Sequence, residues 1–488
     1  MTLPEDFINL VGPVMGQRLF AGLRRGLDAE PVVSIRLNAV KRPAAGLRVD
    51  GASECVEWCK DGFYLETRPN FTFDPMMHAG MYYVQEASSM FLDHVLRRCL
   101  DSRPVRMLDL CAAPGGKSTV ARAVLPQGSL LVSNEPLRPR AQVLAENMQK
   151  FGHPDVIVTN SYPQDFGRSG LCFDVMLADV PCSGEGMFRK DSEAVAAWSM
   201  QAVEKCSALQ REIVAEAWPC LRPGGLLVYS TCTFNTKENE ENVKFICEEL
   251  GADVIDVGAE VSWGITGSLL SGFDVPVYRF IPGITKGEGL FMAVMRKHGQ
   301  AGSSIAGDDE ETSGNVRKAG KSLLRRNKNT VKPRFDNAKP NPARWLASPE
   351  EYEVTVCGDI LTAVPRSWID TYVIAEAGLK VMTAGVPLGK IKGKDVIPAQ
   401  GLALSAAFSA DAFCPADLDY YGAINYLRRE AVILPPQMPR GYILVRYKGM
   451  PLGFVKNIGN RANNLYPAEW KIKSTHIPEG GCCVVEPK

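Results

Sequence analysis

The sequence is short of several features that would place it quickly. It has no surplus of either charge, since 55 Lys and Arg face 55 Asp and Glu, so no global field points to a polyanionic partner. It has no apolar run near the roughly 20 residues needed to span a bilayer, and its mean hydropathy is −0.08. The opening MTLPEDFINL carries acids early and no apolar stretch, so it does not read as a secretory leader. Its 5 histidines stand apart and its 14 cysteines contain no C-x-x-C pair, which argues against zinc ribbons and disulfide frameworks. We therefore expect a soluble, cytoplasmic chain with reduced thiols, no membrane contact and no metal.

What is present is length and apolar content. The 488 residues, 45% of them hydrophobic, suffice for roughly three ordinary domains and exclude global disorder. From Val105 to Lys297, apolar runs (VRMLDL, SLLVSN, VIVTN, FDVMLAD, LLVYST) alternate with helical patterns. The helices are placed after Lys117, over Arg138–Lys150 and from Val203 to Leu221. Such alternation predicts βαβ units around a parallel sheet, with FMAVMRK (291–297) as an antiparallel edge.

Residues 1–70, with a helix at Asp6–Leu27 and a strand at VSIRLN, are expected to form an N-terminal RNA-binding appendage, and 71–298 the α/β core. A basic linker at 299–342 holds eight Lys or Arg and no acid between Arg317 and Arg334. An intermediate segment (343–401) and an RNA-binding β unit (402–488) follow. In the last unit, seven basic residues and one acid between Arg440 and Lys473 interleave with Tyr442, Tyr447, Phe454, Tyr466 and Trp470. That pattern fits RNA held by phosphate contact and stacking, or equally a β core with a solvated rim.

DLCAAPGGKS (109–118) lies where the first core strand meets the first core helix. A P-loop would need glycine where Cys111 stands, and no G-x-G-x-x-G fingerprint occurs. A Rossmann-type loop for a cofactor without a pyrophosphate remains. Glu135, at the end of the second strand, is placed to accept ribose hydroxyls. With Asp109 and Asp179 it puts acids at the carboxyl ends of parallel strands, a set that suits the cationic, phosphate-free S-adenosylmethionine.

Two cysteines occupy polar turns directly after strands. Cys182 lies in ADVPCSGEGMFRKD and Cys232 in YSTCTFNTKENEENV. Beside a methyl donor, a thiolate can add to carbon 6 of a pyrimidine and make carbon 5 nucleophilic. A base then removes the carbon-5 proton, and Asp179 can hydrogen-bond the N3/N4 edge. The base must leave its stack to be reached, so the substrate is single-stranded, looped or flipped out. This chemistry alone leaves open which cysteine attacks.

The motifs DLCAAPGGKS, DVPCSGEGMFRKD, LRPGG and STCTFNTKENE resemble the Nol/Nop/Sun (NSUN-type) family of RNA cytosine-5 methyltransferases. YYVQEASSM and VSIRLNAVK are similar to its upstream segments, and the C-terminal PRGYILVRYKGMPLGFVKNIGNRANNLYP resembles a PUA-like module. These features point to the RsmF-like branch, which methylates bacterial small-subunit (16S) ribosomal RNA. The resemblance implies a Rossmann-like class I methyltransferase core with an N-terminal α+β appendage and a C-terminal PUA-like region. It makes Cys232 the nucleophile and Cys182 the release residue.

By the same likeness, Cys111, Ala112, Ala113, Pro114, Gly115 and Gly116 cradle the methionine end of the cofactor. Glu135 holds the ribose, and Asp179 sits between cofactor and base. Lys117 reaches the active-site edge and Lys190 lies near the substrate. The sequence departs from the family's acid after strand three, leaving Asn160 or a backbone amide for the adenine. It also shows Pro282-Gly283 where the family usually has Pro-His. The implied partner is ribosomal RNA or the small subunit, acted on by a monomer. Transfer RNA as substrate and a non-catalytic ribosome-assembly factor are the alternatives.

Overall fold

The computed structural model describes residues 1–44, 46–299, 341–393, 395–474 and 477–488. Its centre is a nine-stranded sheet made of β1 (Arg106–Asp109), β2 (Leu130–Asn134), β3 (Val156–Thr159), β4 (Phe173–Asp179), β5 (Leu221–Thr231), β6 (Ala252–Val254), β7 (Val277–Phe280), β8 (Leu290–Lys297) and β9 (Val381–Ala384). The spatial order is β6-β8-β5-β4-β1-β2-β3-β9, with β7 also paired to β8. The strands β5, β4, β1, β2 and β3 run parallel, while β8 is antiparallel to β5, β6 and β7 are antiparallel to β8, and β9 is antiparallel to β3.

The parallel strands are continuous apolar runs because both their faces are covered. One layer packs Met107, Leu131, Val175 and Val228 against Phe91, Val120 and Leu144. The other packs Leu108, Val132, Met176 and Leu227 against Phe166, Val214 and Ile246. The chain reverses its building direction between β1 and β4, and ligands of open α/β sheets sit at the carboxyl ends beside such a point.

Some expectations need correction. FMAVMRK is antiparallel but interior, since β6 and β7 flank it. The helix from Val203 begins at Met200 and ends at Ala217, because Pro219 follows and Leu221 already belongs to β5. The N-terminal helix, Glu5–Asp28, is interrupted at Gly16, whose φ of +66° breaks the helical path. The basic run Arg317–Arg334 lies outside the described residues.

Among the described residues, three four-stranded sheets and one two-stranded sheet sit around the core. The N-terminal one, Ala52–Val56, Cys59–Leu65, Val33–Leu37 and Tyr82–Val84, continues past residue 70. Segment 343–401 builds a four-stranded sheet and also sends β9 to the core edge beside β3. The last sheet contains the hairpin Gly441–Tyr447/Met450–Asn457, whose Lys448-Gly449 turn has φ of 48° and 77°. That is the left-handed pair a tight two-residue hairpin demands.

Val485–Pro487 pairs with Leu47–Val49 in a separate two-stranded sheet, so the C-terminal unit is knitted to the N-terminal segment. A shared apolar cluster of Ile35, Met76 and Tyr82 with Ile424, Ile443 and Val485 backs this contact. Tyr447, Phe454 and Tyr466 are buried, so they form core and offer no stacking face. The cations of this unit stay on its rim, where Arg428, Arg429, Arg461 and Lys471 line an open groove of about 570 Å³.

Candidate functional site

Four loops meet at the carboxyl edge of the sheet. The one after β1 runs through Cys111–Gly115 into a helix starting at Gly116. Gly115 has φ of +113°, and a Cβ there would crowd Leu144 and Asn147. The loop is braced from behind, where Asn147 donates to the Pro114 carbonyl (2.8 Å) and Arg140 to that of Ala113 (2.9 Å).

In front of the loop lies a cavity of about 190 Å³, with Glu86, Asp109, Cys111, Lys117 and Asp179 in its wall. Asp109 is fully buried. Ser118 donates to its Oδ2 at 2.6 Å, while its Oδ1 has no hydrogen-bond partner. Burial pushes this carboxyl up to about 7, with the charge of Asp179 adding to the effect.

Lys117 Nζ meets Asp179 Oδ2 at 2.9 Å, and Ser230 Oγ donates to Asp179 Oδ1 at 2.6 Å. Burial pulls the ammonium of Lys117 down, but the charge and hydrogen bond of Asp179 outweigh it and leave Lys117 above the ordinary lysine value. Glu135 follows β2 and is 2% exposed. One oxygen accepts from Leu137 N (3.0 Å) and the other faces Arg140 at 3.5 Å. Asn160 donates to the carbonyls of Glu135 and Pro136, both at 2.8 Å, and so fixes the Glu135 turn.

The loops after β4 and β5 bring Cys182 and Cys232 together, with their sulfurs 3.1 Å apart. The hydrogen bond to Cys232, then burial, push the Cys182 thiol well above its ordinary value. The loops touch closely here. Gly186 N donates to the Cys232 carbonyl at 2.6 Å, and a Cβ at Gly186 would lie 2.5 Å from that oxygen.

Thus the structure gathers Cys111–Lys117, Asp179, Cys182 and Cys232 on one rim, with Glu135 and Asn160 on the adjoining strand ends. Lys190 stands apart from the cavity wall. It pairs with Glu288 at 3.2 Å, beside the buried Arg189–Glu288 contact at 2.7 Å. Glu86, Glu185, Ser230 and Glu238 surround the site without having been singled out from the sequence. Their spacing carries no signal, because their contacts cross between loops.

The donor set suits S-adenosylmethionine. Asp109 leaves an unpartnered carboxyl oxygen, the loop presents small residues and backbone, and the buried Glu135 carboxyl lies at the adjoining strand end.

Comparisons with known proteins agree. Residues 100–296 match the model described as 16S rRNA methyltransferase RsmB/F, and residues 3–87 that of the N-terminal domain of 16S rRNA methyltransferase RsmF. Residues 416–472 match the methyltransferase RsmF PUA domain. The ribosomal RNA small subunit methyltransferase F of Aliivibrio fischeri is 31% identical over 493 residues, spanning 96% of this chain and 97% of that protein. Its counterpart from Shewanella loihica is 29% identical over 484 residues, spanning 96% and 95%. Among solved structures, that of PH0851 superposes with a TM-score of 0.52 at 23% identity, over 60% of this chain and 66% of that one.

Fold, loops and matching models define the class, an S-adenosylmethionine-dependent RNA methyltransferase. More narrowly, the chain belongs to the ribosomal RNA small subunit methyltransferase F family. The resemblance read from the four motifs is borne out, and with it the Rossmann-like core and the PUA-like C-terminal region.

Proposed function

We propose that the protein methylates carbon 5 of a cytidine in small-subunit ribosomal RNA through a transient bond between Cys232 and carbon 6 of the base. The observation that carries this reading is the pair of thiols 3.1 Å apart, on the rim that also holds the Lys117–Asp179–Ser230 chain. Bound S-adenosylmethionine supplies the methyl group. Glu135 would hold its ribose, the Cys111–Gly116 loop and Asp109 its methionine end, and Asn160 would border the adenine.

Asp179, fixed by Ser230 and Lys117, accepts from the exocyclic amino group of the flipped cytosine. The Lys117 ammonium offsets negative charge that builds on the ring as the thiolate adds. Cys232 attacks carbon 6, which makes carbon 5 enamine-like and able to take the methyl group. Cys182 is protonated at rest because Cys232 stands beside it. Once the Cys232 sulfur is bonded to carbon, its charge and its hydrogen bond are gone, and Cys182 can release its proton to water. Its thiolate then takes the carbon-5 proton, the electron pair re-forms the ring double bond, and Cys232 leaves.

The N-terminal sheet and the basic rim of the C-terminal unit would grip the RNA away from the reacting base. The decisive experiment is bisulfite sequencing of RNA from cells with and without the gene. Loss of one protected cytosine in small-subunit ribosomal RNA is the expected result. Loss in transfer RNA instead would keep the chemistry and overturn the substrate, and no loss anywhere would favour an assembly factor. In vitro, Cys182→Ala should trap a denaturant-stable protein–RNA adduct, and Cys232→Ala should form none.

A further inference from the structure

We infer that Glu185, Asn235 and Glu238 are positioning residues that form a reciprocal clasp, setting the separation of the two thiols and so tying adduct formation to product release. The inference rests on the cysteine roles proposed above. The ladder between β4 and β5 ends at Asp179–Ser230, and beyond it the backbone links the two segments by Val180 N to the Ser230 carbonyl and Gly186 N to the Cys232 carbonyl. Two backbone bonds alone do not set the register of the two cysteine loops, and side chains supply the rest.

Each loop supplies a carboxylate that grips the opposite loop. Glu238, from the Cys232 loop, accepts from Ser183 N (3.0 Å) and Ser183 Oγ (2.5 Å), next to Cys182. Glu185, from the Cys182 loop, accepts from Phe234 N (2.5 Å) and Asn235 N (3.1 Å), close to Cys232. The Asn235 side-chain amide joins them, reaching Glu185 Oε1 at 2.7 Å and Glu238 Oε1 at 2.9 Å.

Side-chain donors anchor the pair from outside, Trp198 Nε1 to Glu185 (3.2 Å) and Gln210 Nε2 to Glu238 (2.8 Å). Both carboxylates are fully buried. Two acids in one dry site are costly unless every oxygen is satisfied, and here each accepts at least one hydrogen bond. A structure needed only for stability could use apolar packing. The crossed geometry instead fixes the residues next to each sulfur relative to one another.

The test measures adduct formation in a single turnover and adduct accumulation during steady turnover, with Cys182→Ala as reference. Glu238→Gln keeps the shape but sets an amide against the donors of Ser183. It should lower kcat about tenfold and raise the accumulated adduct by a similar factor, with formation changed less than about threefold. The double variant Cys182→Ala/Glu238→Gln should accumulate no more adduct than Cys182→Ala alone, because both act on one step. If kcat falls without adduct accumulating, or formation slows as much as release, the clasp is only structural. Glu185→Gln provides the second variant should Glu238→Gln fold poorly, with the same expected pattern. If Cys182→Ala traps no adduct, the cysteine roles fall first and the clasp falls with them.

Discussion

Two halves of the same rim are built in opposite ways. On the cysteine side, both oxygens of Glu185 and of Glu238 are satisfied and the loops are tied together before any ligand arrives. On the cofactor side, Asp109 keeps an unpartnered oxygen, and Lys117 and Asp179 face a cavity. A saturated network resists change, whereas an unsatisfied one gains from a ligand that completes it. The contrast teaches where precision is stored. In the proposed mechanism the protein holds the sulfurs itself, and the proposed cofactor would complete its own pocket.

The sharpest break in this contrast is Asn235→Ala, which leaves two buried carboxylates facing each other without their shared donor. We expect a loss of about 3 kcal/mol or more in stability, read by urea denaturation, together with near-complete loss of turnover. A stability change below about 1 kcal/mol would show that the cysteine side is not the rigid half. Next in size, Lys117→Met removes the cation facing Asp179 and should lower kcat by about 100-fold while cofactor affinity changes little. A pure rise in KM would place Lys117 in binding instead.

On the cofactor side, Glu135→Gln should weaken S-adenosylmethionine binding by about 1.5–3 kcal/mol, measured by calorimetry. Unchanged affinity would remove Glu135 from the site. The smallest effect, counted per pH unit, concerns pH. Asp109 has an ordinary carboxyl value of 3.8 when unfolded and about 7 when folded without ligand. Between these values only the unfolded chain loses the proton, so stability falls as pH rises through the window and levels off above it. Asp109→Asn should flatten this slope, each pH unit of which is worth at most about 1.4 kcal/mol. Melting temperatures across pH 4–8 would decide, and an unchanged slope would mean that Asp109 is ionised in the fold.

Much of the core was legible because its strands are apolar on both faces. FDVMLAD matches β4 residue for residue. VIVTN and SLLVSN each contain their strands, while LLVYST is the C-terminal part of β5, which begins earlier at Leu221. β9, VMTA, was not legible. It is four residues long, only Ala384 is buried, and its partner β3 lies more than two hundred residues earlier. The two cysteines stood out because polar turns are poor places for structural thiols. Glu185 and Glu238 did not, although both lay inside quoted motifs, since an acid in a charged stretch reads as solvated surface. The aromatics of the last unit left two readings open, because alternation with lysines and arginines does not say which side of a strand faces the core, and burial of Tyr447, Phe454 and Tyr466 selects the β core for them.

The pairing of Val485–Pro487 with Leu47–Val49 has a consequence for the making of the protein. Arg48 and Glu486, joined across this seam at 2.7 Å, are 438 positions apart. The apolar surface formed by Tyr82 of the N-terminal sheet and Met76 of the neighbouring helix acquires part of its cover from a segment made long after it. Until then that apolar surface must be shielded by other means, since chains emerge at only about 5–20 residues per second. An enzyme that modifies ribosomal RNA would therefore close this part of its fold only after a ribosome has added the strand 438 positions downstream.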